Sequence, residues 1–127
     1  MNIFDSLAKE WDQNSNRVKN AKTLYEKLDT ILDLEDKKII DYGAGSGLLS
    51  TLLAQKASEV LALDSSKKML EQIDKKIKDH KIPNITTAHH DILKDDLPKN
   101  YDLFVSSMTL HHIEDTKEFI AKAKSSL

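Results

Sequence analysis

The chain has 127 residues, which suits one domain with one core. It carries a formal net charge of −2 and a single arginine, Arg17. That balance argues against a nucleic-acid partner, which calls for a basic face with Arg for phosphate and guanine. With no cysteine, disulfides, thiolate metal sites and cysteine nucleophiles are excluded. No apolar run approaches the ~20 residues of a membrane helix, and Met1 to Asp5 is no signal peptide, so cytoplasm is the expected location.

Taken in chain order, Phe4, Leu7, Ala8 and Trp11 recur at helical spacing. Val18, Ala21, Leu24, Tyr25, Leu28, Ile31 and Leu32 continue that period for four turns. Lys37 to Tyr42 reads as a strand that runs into a glycine loop. A helix follows from about Ser46 to Gln55. Glu59 to Leu63 is a short apolar strand ending at Asp64, and Ser65 or Ser66 can cap the next helix with a hydroxyl. That helix carries Met69, Leu70, Ile73 and Ile77 and stops before Pro83. Asn84 to His89 is a third strand, favoured by Ile85, Thr86 and Thr87. A polar loop over Asp91 to Asn100 leads to a fourth strand, Tyr101 to Ser107. A last helix starts near Glu114.

Strands alternating with helices imply parallel strands joined by right-handed crossovers. Ligands of such sheets sit beyond the carboxyl ends of the strands. The glycine loop, Asp64, Asp91 and the residues after Ser107 all fall at those ends, so four segments converge on one place.

Glycine is the most informative residue type. An average near 7% predicts roughly nine, yet there are three, all in one loop: Gly43, Gly45 and Gly47. Asp41 to Gly47 has the spacing D-x-G-x-G-x-G. The dinucleotide fingerprint G-x-G-x-x-G would need glycine where Leu48 stands, and no Gly-Lys-Ser/Thr follows for a phosphate loop. An acid before the glycines would repel a diphosphate and suits a cationic group. Asp64, 17 residues beyond Gly47, stands where a carboxylate accepts from ribose hydroxyls; it also suits a plain helix N-terminal acid. Asp91 could accept from an adenine amino group while Ile92 packs on the ring, although Asp in a loop is often a turn residue.

These segments resemble a class I S-adenosylmethionine-dependent methyltransferase of the quinone-biosynthesis-like kind (type 11/12/25). The resemblance runs from Phe4 to about Ile120. Phe4-Asp5 through Trp11-Asp12 is similar to the family's opening F-D-x-x-A-x-x-[YW]-D. Ile39 to Gly47 matches its first motif, and Asp64 to Leu70 resembles D-x-S-x-x-M-L. His90-Asp91-Ile92 sits where the family places its adenine-contacting acid. Tyr101 through Ile113 is similar to F-D-x-x-x-S-x-x-x-H-H.

The resemblance implies S-adenosylmethionine as cofactor, with S-adenosylhomocysteine as product, and a small-molecule acceptor. It assigns Asp41, Gly43, Ala44, Gly45 and Gly47 to the methionine end and Asp64 to the ribose. Ser65 and Met69 flank the adenosine, and Asp91 and Ile92 select adenine. Ser107 lines the route to the methyl group, and the segment around Trp11 covers the pocket. His111 and His112 are the candidate bases, needed only if the acceptor must lose a proton. A metal site built from His89, His90, His111 and His112 is not expected, because adjacent strand residues point to opposite faces.

The expected fold is α/β: a Rossmann-like three-layer sandwich with a parallel sheet in the order 3-2-1-4. Residues 1–35 form a helical cap packed on the sheet and 36–127 the core of a single domain. The family's sheet usually has seven strands, and strands 5–7 are missing, so a shortened chain is expected. An open fourth strand, or the last helix, then invites self-association. Two other readings stay open. One is a non-catalytic module that binds the cofactor or a partner protein. The other, disfavoured by Leu48 and Asp41, is a nicotinamide-dependent oxidoreductase.

Overall fold

The computed structural model of the protein describes residues 15–91, 95–106 and 123–127. The Phe4–Trp11 pattern, Ile92, Ser107, His111, His112 and the start of the last helix lie outside the described residues. Among the described residues the elements are α1 (Ser15–Ile31), β1 (Lys38–Tyr42), α2 (Leu48–Leu53), β2 (Glu59–Asp64), α3 (Lys67–His80), β3 (Ile85–His89) and β4 (Leu103–Ser106). No described helix is long and apolar enough to cross a membrane.

The four strands form one sheet whose pairs are all parallel, as the alternation of strands and helices predicts, in the order β3-β2-β1-β4 that the family resemblance implies. β1 is central, and its residues from Ile39 to Tyr42 are all buried, the pattern of a strand covered on both faces. Fully burying a residue such as Ile39 or Ile40 stabilises the fold by roughly 1.5–3 kcal/mol. Register between β1 and β4 is set at the strand entrance. The Lys38 N–H donates to Asp102 Oδ2 (2.9 Å), and the Asp102 N–H returns to the Lys38 carbonyl (2.8 Å).

Side chains alternate between two apolar clusters. Ile39, Val60, Ala62, Ile85 and Val105 face α2 and α3 through Leu49, Leu53, Leu70 and Ile73. Ile40, Tyr42, Leu61 and Leu63 face the other way, against Leu97, Tyr101 and Phe104. α1 joins the first cluster only through its middle, by Leu24, Tyr25 and Leu28. Val18, Ile31 and Leu32, which continue the same periodicity, are exposed. The helix meets its neighbour over a short span, so its apolar stripe is longer than the surface that it covers.

Helix ends follow local chemistry. The Ser66 hydroxyl caps α3 by accepting from the Met69 N–H (3.3 Å). Lys81 closes the same helix in a left-handed conformation (φ 52°) before Pro83. Asn84 then donates to the carbonyls of Ala54 and Ala57 (2.9 and 3.0 Å), tying the entrance of β3 to the end of α2.

Candidate cofactor site

Parallel strands deliver their carboxyl ends to one edge of the sheet, and the chemistry collects there. β1 ends in Asp41-Tyr42 and β2 ends in Asp64, on neighbouring strands. Between them runs the glycine loop. All three of its glycines have positive φ: 68° at Gly43, 61° at Gly45 and 86° at Gly47. The N–H groups of Gly43 and Ala44 both donate to the Leu63 carbonyl (2.8 and 3.0 Å), which folds the loop back over the end of β2.

Gly47 is the N-cap of α2, and its conformation and surroundings both exclude a side chain. An added Cβ would come within 2.9 Å of Ile73 Cγ1 in α3. Gly47→Ala is therefore expected to cost on the order of 2–3 kcal/mol from left-handed backbone strain and overpacking. Urea denaturation will read this as a lower midpoint with an unchanged slope. A midpoint equal to wild type would mean that the loop relaxes freely.

Asp64 is buried and holds the loop from the other side. Its Oδ2 accepts from the Gly45 N–H (2.8 Å), and its Oδ1 accepts from the Ser66 N–H (2.8 Å). Two backbone N–H groups thus fix this carboxylate, which joins the glycine loop to the start of α3.

Asp41 is more unusual. It is 0% exposed; its Oδ2 accepts from the Ser50 hydroxyl of α2 (2.6 Å), and its Oδ1 has no hydrogen-bond partner. Burial, and then the nearby Asp64 charge, push its carboxyl up to about 7 against the lowering effect of Ser50. An orphaned carboxylate oxygen is a costly feature, and it fits a donor that a cationic ligand would bring. Two acids beside a glycine loop suit a ligand that carries positive charge.

The other predicted positions divide. Ser65 is exposed, and its carbonyl meets His89 Nε2 at 3.0 Å. Met69 is buried at the start of α3. Asp91 is half-buried beyond β3; its N–H donates to Asp95 Oδ2 and its carbonyl accepts from the Asp95 N–H, both at 2.8 Å. His89 is exposed while His90 is buried against Tyr42, so the two rings diverge. Among the described residues, no group of three or more His, Asp or Glu is placed to hold a metal ion.

Two residues of this edge escape sequence reasoning. Tyr42 and His90 are both buried, and the Tyr42 hydroxyl lies 3.1 Å from His90 Nδ1. The available signal was position alone: Tyr42 stands between Asp41 and Gly43, and His90 immediately precedes Asp91.

Residues 39–127 match a family model described as a methyltransferase domain. An uncharacterized methyltransferase of Mycobacterium tuberculosis is 32% identical over 105 residues, covering 81% of this chain and 52% of that protein. The ribosomal RNA small subunit methyltransferase A of Mycoplasma mobile is 30% identical over 110 residues, covering 80% of this chain and 42% of that one. Among solved structures, a candidate S-adenosyl-L-methionine-dependent methyltransferase of Methanococcus maripaludis superposes with a TM-score of 0.86 at 28% identity. That match covers 100% of this chain and 61% of the other. The chain therefore spans about half the length of the proteins it matches.

Proposed function

The chain belongs to the methyltransferase-domain family, and from that premise we propose that its glycine-loop edge binds S-adenosylmethionine for methyl transfer to a small-molecule acceptor. The observation that carries the reading is Asp41, fully buried with one oxygen unpartnered, at the root of a loop whose three glycines all have positive φ. In this reading Asp41 faces the positive methionine end through the loop formed by Gly43, Ala44, Gly45 and Gly47. Asp64 accepts from the ribose hydroxyls, beside Ser65 and Met69. Asp91 and Ile92 meet the adenine, and Ser107 lies on the acceptor side.

Bound S-adenosylmethionine supplies a methyl group already activated on a positive sulfur. What remains for the protein is position and dryness, and orientation can contribute on the order of 7–11 kcal/mol. Asp41 and Asp64 favour the positive ligand electrostatically, while the backbone of the loop fixes its direction. His111 and His112 are the proposed proton acceptors, required only for an acceptor that must be deprotonated.

The acceptor class rests on charge. A net charge of −2, with one arginine and with lysines interleaved with acids, disfavours the basic face that dominates RNA affinity. The likeness to a ribosomal RNA methyltransferase favours RNA as the second reading. Cytoplasmic placement belongs to the same proposal, as does self-association through β4, an edge of the sheet among the described residues.

Calorimetric titration tests the cofactor claim. S-adenosylmethionine and S-adenosylhomocysteine are expected to bind at micromolar to submillimolar concentration, with nicotinamide dinucleotide failing to compete. No binding of either at millimolar concentration would end the proposal. Methyl-labelled cofactor offered with small nucleophiles and with ribosomal RNA then separates the two acceptors. Binding without transfer to any acceptor would instead support a non-catalytic module.

A further inference from the structure

Beyond the ligand-facing residues, the carboxyl edge of the sheet contains a buried polar bridge. The His90 N–H donates to the Asp64 carbonyl (3.0 Å), extending the β2–β3 ladder by one bond. Its ring then spans outward. Nε2 lies 3.3 Å from the Asp96 carbonyl, and Nδ1 lies 3.1 Å from the Tyr42 hydroxyl. One neutral tautomer satisfies both contacts: a carbonyl can only accept, so Nε2–H donates to it and Nδ1 accepts from the tyrosine. The Tyr42 ring is held in turn, edge-on to His90 (84°, centroids 5.3 Å) and stacked on Phe104 of β4 (22°, 5.7 Å).

The segment attached to His90 is itself tied. Asp91 and Asp95 exchange a reciprocal pair of 2.8 Å bonds, and Leu97 is buried in the cluster that holds Tyr42 and Leu63. Asp91 is therefore tied to Asp95, and His90 before it and Leu97 after it both pack with Tyr42. Tyr42 is the residue between Asp41 and Gly43.

Resting on the cofactor reading above, we propose that His90 is a positioning residue: by bridging Tyr42 and the Asp96 carbonyl, it holds Asp91 in register with the glycine loop and so sets affinity and selectivity for the adenine ring. His90 touches no ligand in this account. It acts by keeping the adenine-facing carboxylate at a constant distance from the loop that holds the other end of the molecule. A histidine that merely fills the core would stabilise the fold without affecting which base is preferred.

The test uses Tyr42→Phe, His90→Phe and His90→Asn, each titrated well below its melting temperature. The ligands are S-adenosylhomocysteine and S-inosylhomocysteine, in which the 6-amino group of the base is replaced by an oxo group. Loss of the bridge is expected to weaken S-adenosylhomocysteine binding roughly fivefold in Tyr42→Phe and His90→Phe, the scale of one net hydrogen bond. The preference for adenine over hypoxanthine should shrink with it. His90→Asn, whose side-chain oxygen can accept from Tyr42, is expected to recover part of the loss. Without ligand, amide exchange over residues 91 and 95–97 should be faster in Tyr42→Phe than in wild type.

Wild-type affinity and base preference in both phenylalanine variants would overturn the proposal, even if both melt at lower temperature. Failure of the wild-type chain to bind either ligand would instead remove the cofactor reading on which this rests.

Discussion

Replacing Asp41 by asparagine is expected to raise the stability of the folded chain at pH 8 while removing most of its affinity for S-adenosylmethionine. The carboxyl is wholly buried, with Oδ1 unpartnered, and is pushed from 3.8 to about 7 by burial first and Asp64 second. Its folded pKa thus lies above its unfolded one, so the folded state holds this proton more tightly. The contribution to stability is complete below pH 3.8 and is lost as pH rises through about 7. Across that window the loss is on the order of 4 kcal/mol, an upper bound because buried groups relax.

Asparagine keeps the shape and can still accept from Ser50, but carries no charge. Part of the gain is offset by the amide hydrogens, which meet no acceptor, at roughly 1–3 kcal/mol. Urea midpoints should therefore fall between pH 5 and pH 8 in wild type and fall less in Asp41→Asn. Affinity should drop by roughly 10- to 100-fold, the value of a charge-assisted contact. A variant less stable than wild type at pH 8, with cofactor affinity retained, would contradict the assignment.

Asp64→Asn is expected to behave in the opposite way on stability and in the same way on binding. Asp64 accepts from two backbone N–H groups, at Gly45 and Ser66, and an amide has only one oxygen to offer. One N–H is left facing another donor, which costs about 1.5–3 kcal/mol for a lost bond to a charged acceptor. The released Gly45 also loosens the loop. With the proposed ribose acceptor gone as well, affinity for S-adenosylhomocysteine is expected to fall by at least roughly 100-fold. Thermal denaturation and calorimetry read the two effects separately. Both acids end neighbouring strands, yet one mutation stabilises and the other destabilises. A common sign for the two would show that burial and partners do not govern them as described.

Much of this site is legible in residue order. Three glycines confined to one loop, after a strand and before a helix, mark a backbone that needs left-handed conformations, and all three have positive φ. Ser66 as a cap and Pro83 as a stop follow from local chemistry and set the limits of α3. Asp64 was open to two readings, ligand acceptor or helix-terminal acid. The structure shows a carboxylate that binds the glycine loop and the start of α3 together.

What depends on tertiary placement was not legible. Periodicity marks Val18, Ile31 and Leu32 as apolar-face residues, but whether a neighbour reaches them is decided by how far α1 overlaps α2, and it does not reach. Leu97 sits in a polar stretch, and its burial comes from packing with Ile40, Tyr42, Leu61 and Leu63 on one face of the sheet. The pairing of Tyr42 with His90 joins residues 48 positions apart, and no local pattern encodes it.

In the proposed function the ligand lies along the edge bounded by the glycine loop, Asp64 and Asp91. A cleft elsewhere offers an internal control: about 510 Å³ on the helical side, lined by Leu48, Leu52, Lys76, His80, Ile82 and Asn84 among others. Amide chemical shifts of the labelled chain, followed during titration with S-adenosylhomocysteine, distinguish the two directly. The account predicts saturable shifts concentrated at Gly43 to Gly47, Asp64 to Ser66 and His90 to Asp91. Shifts confined to the amides of His80 to Asn84, or none at ligand saturation of the solution, would contradict it.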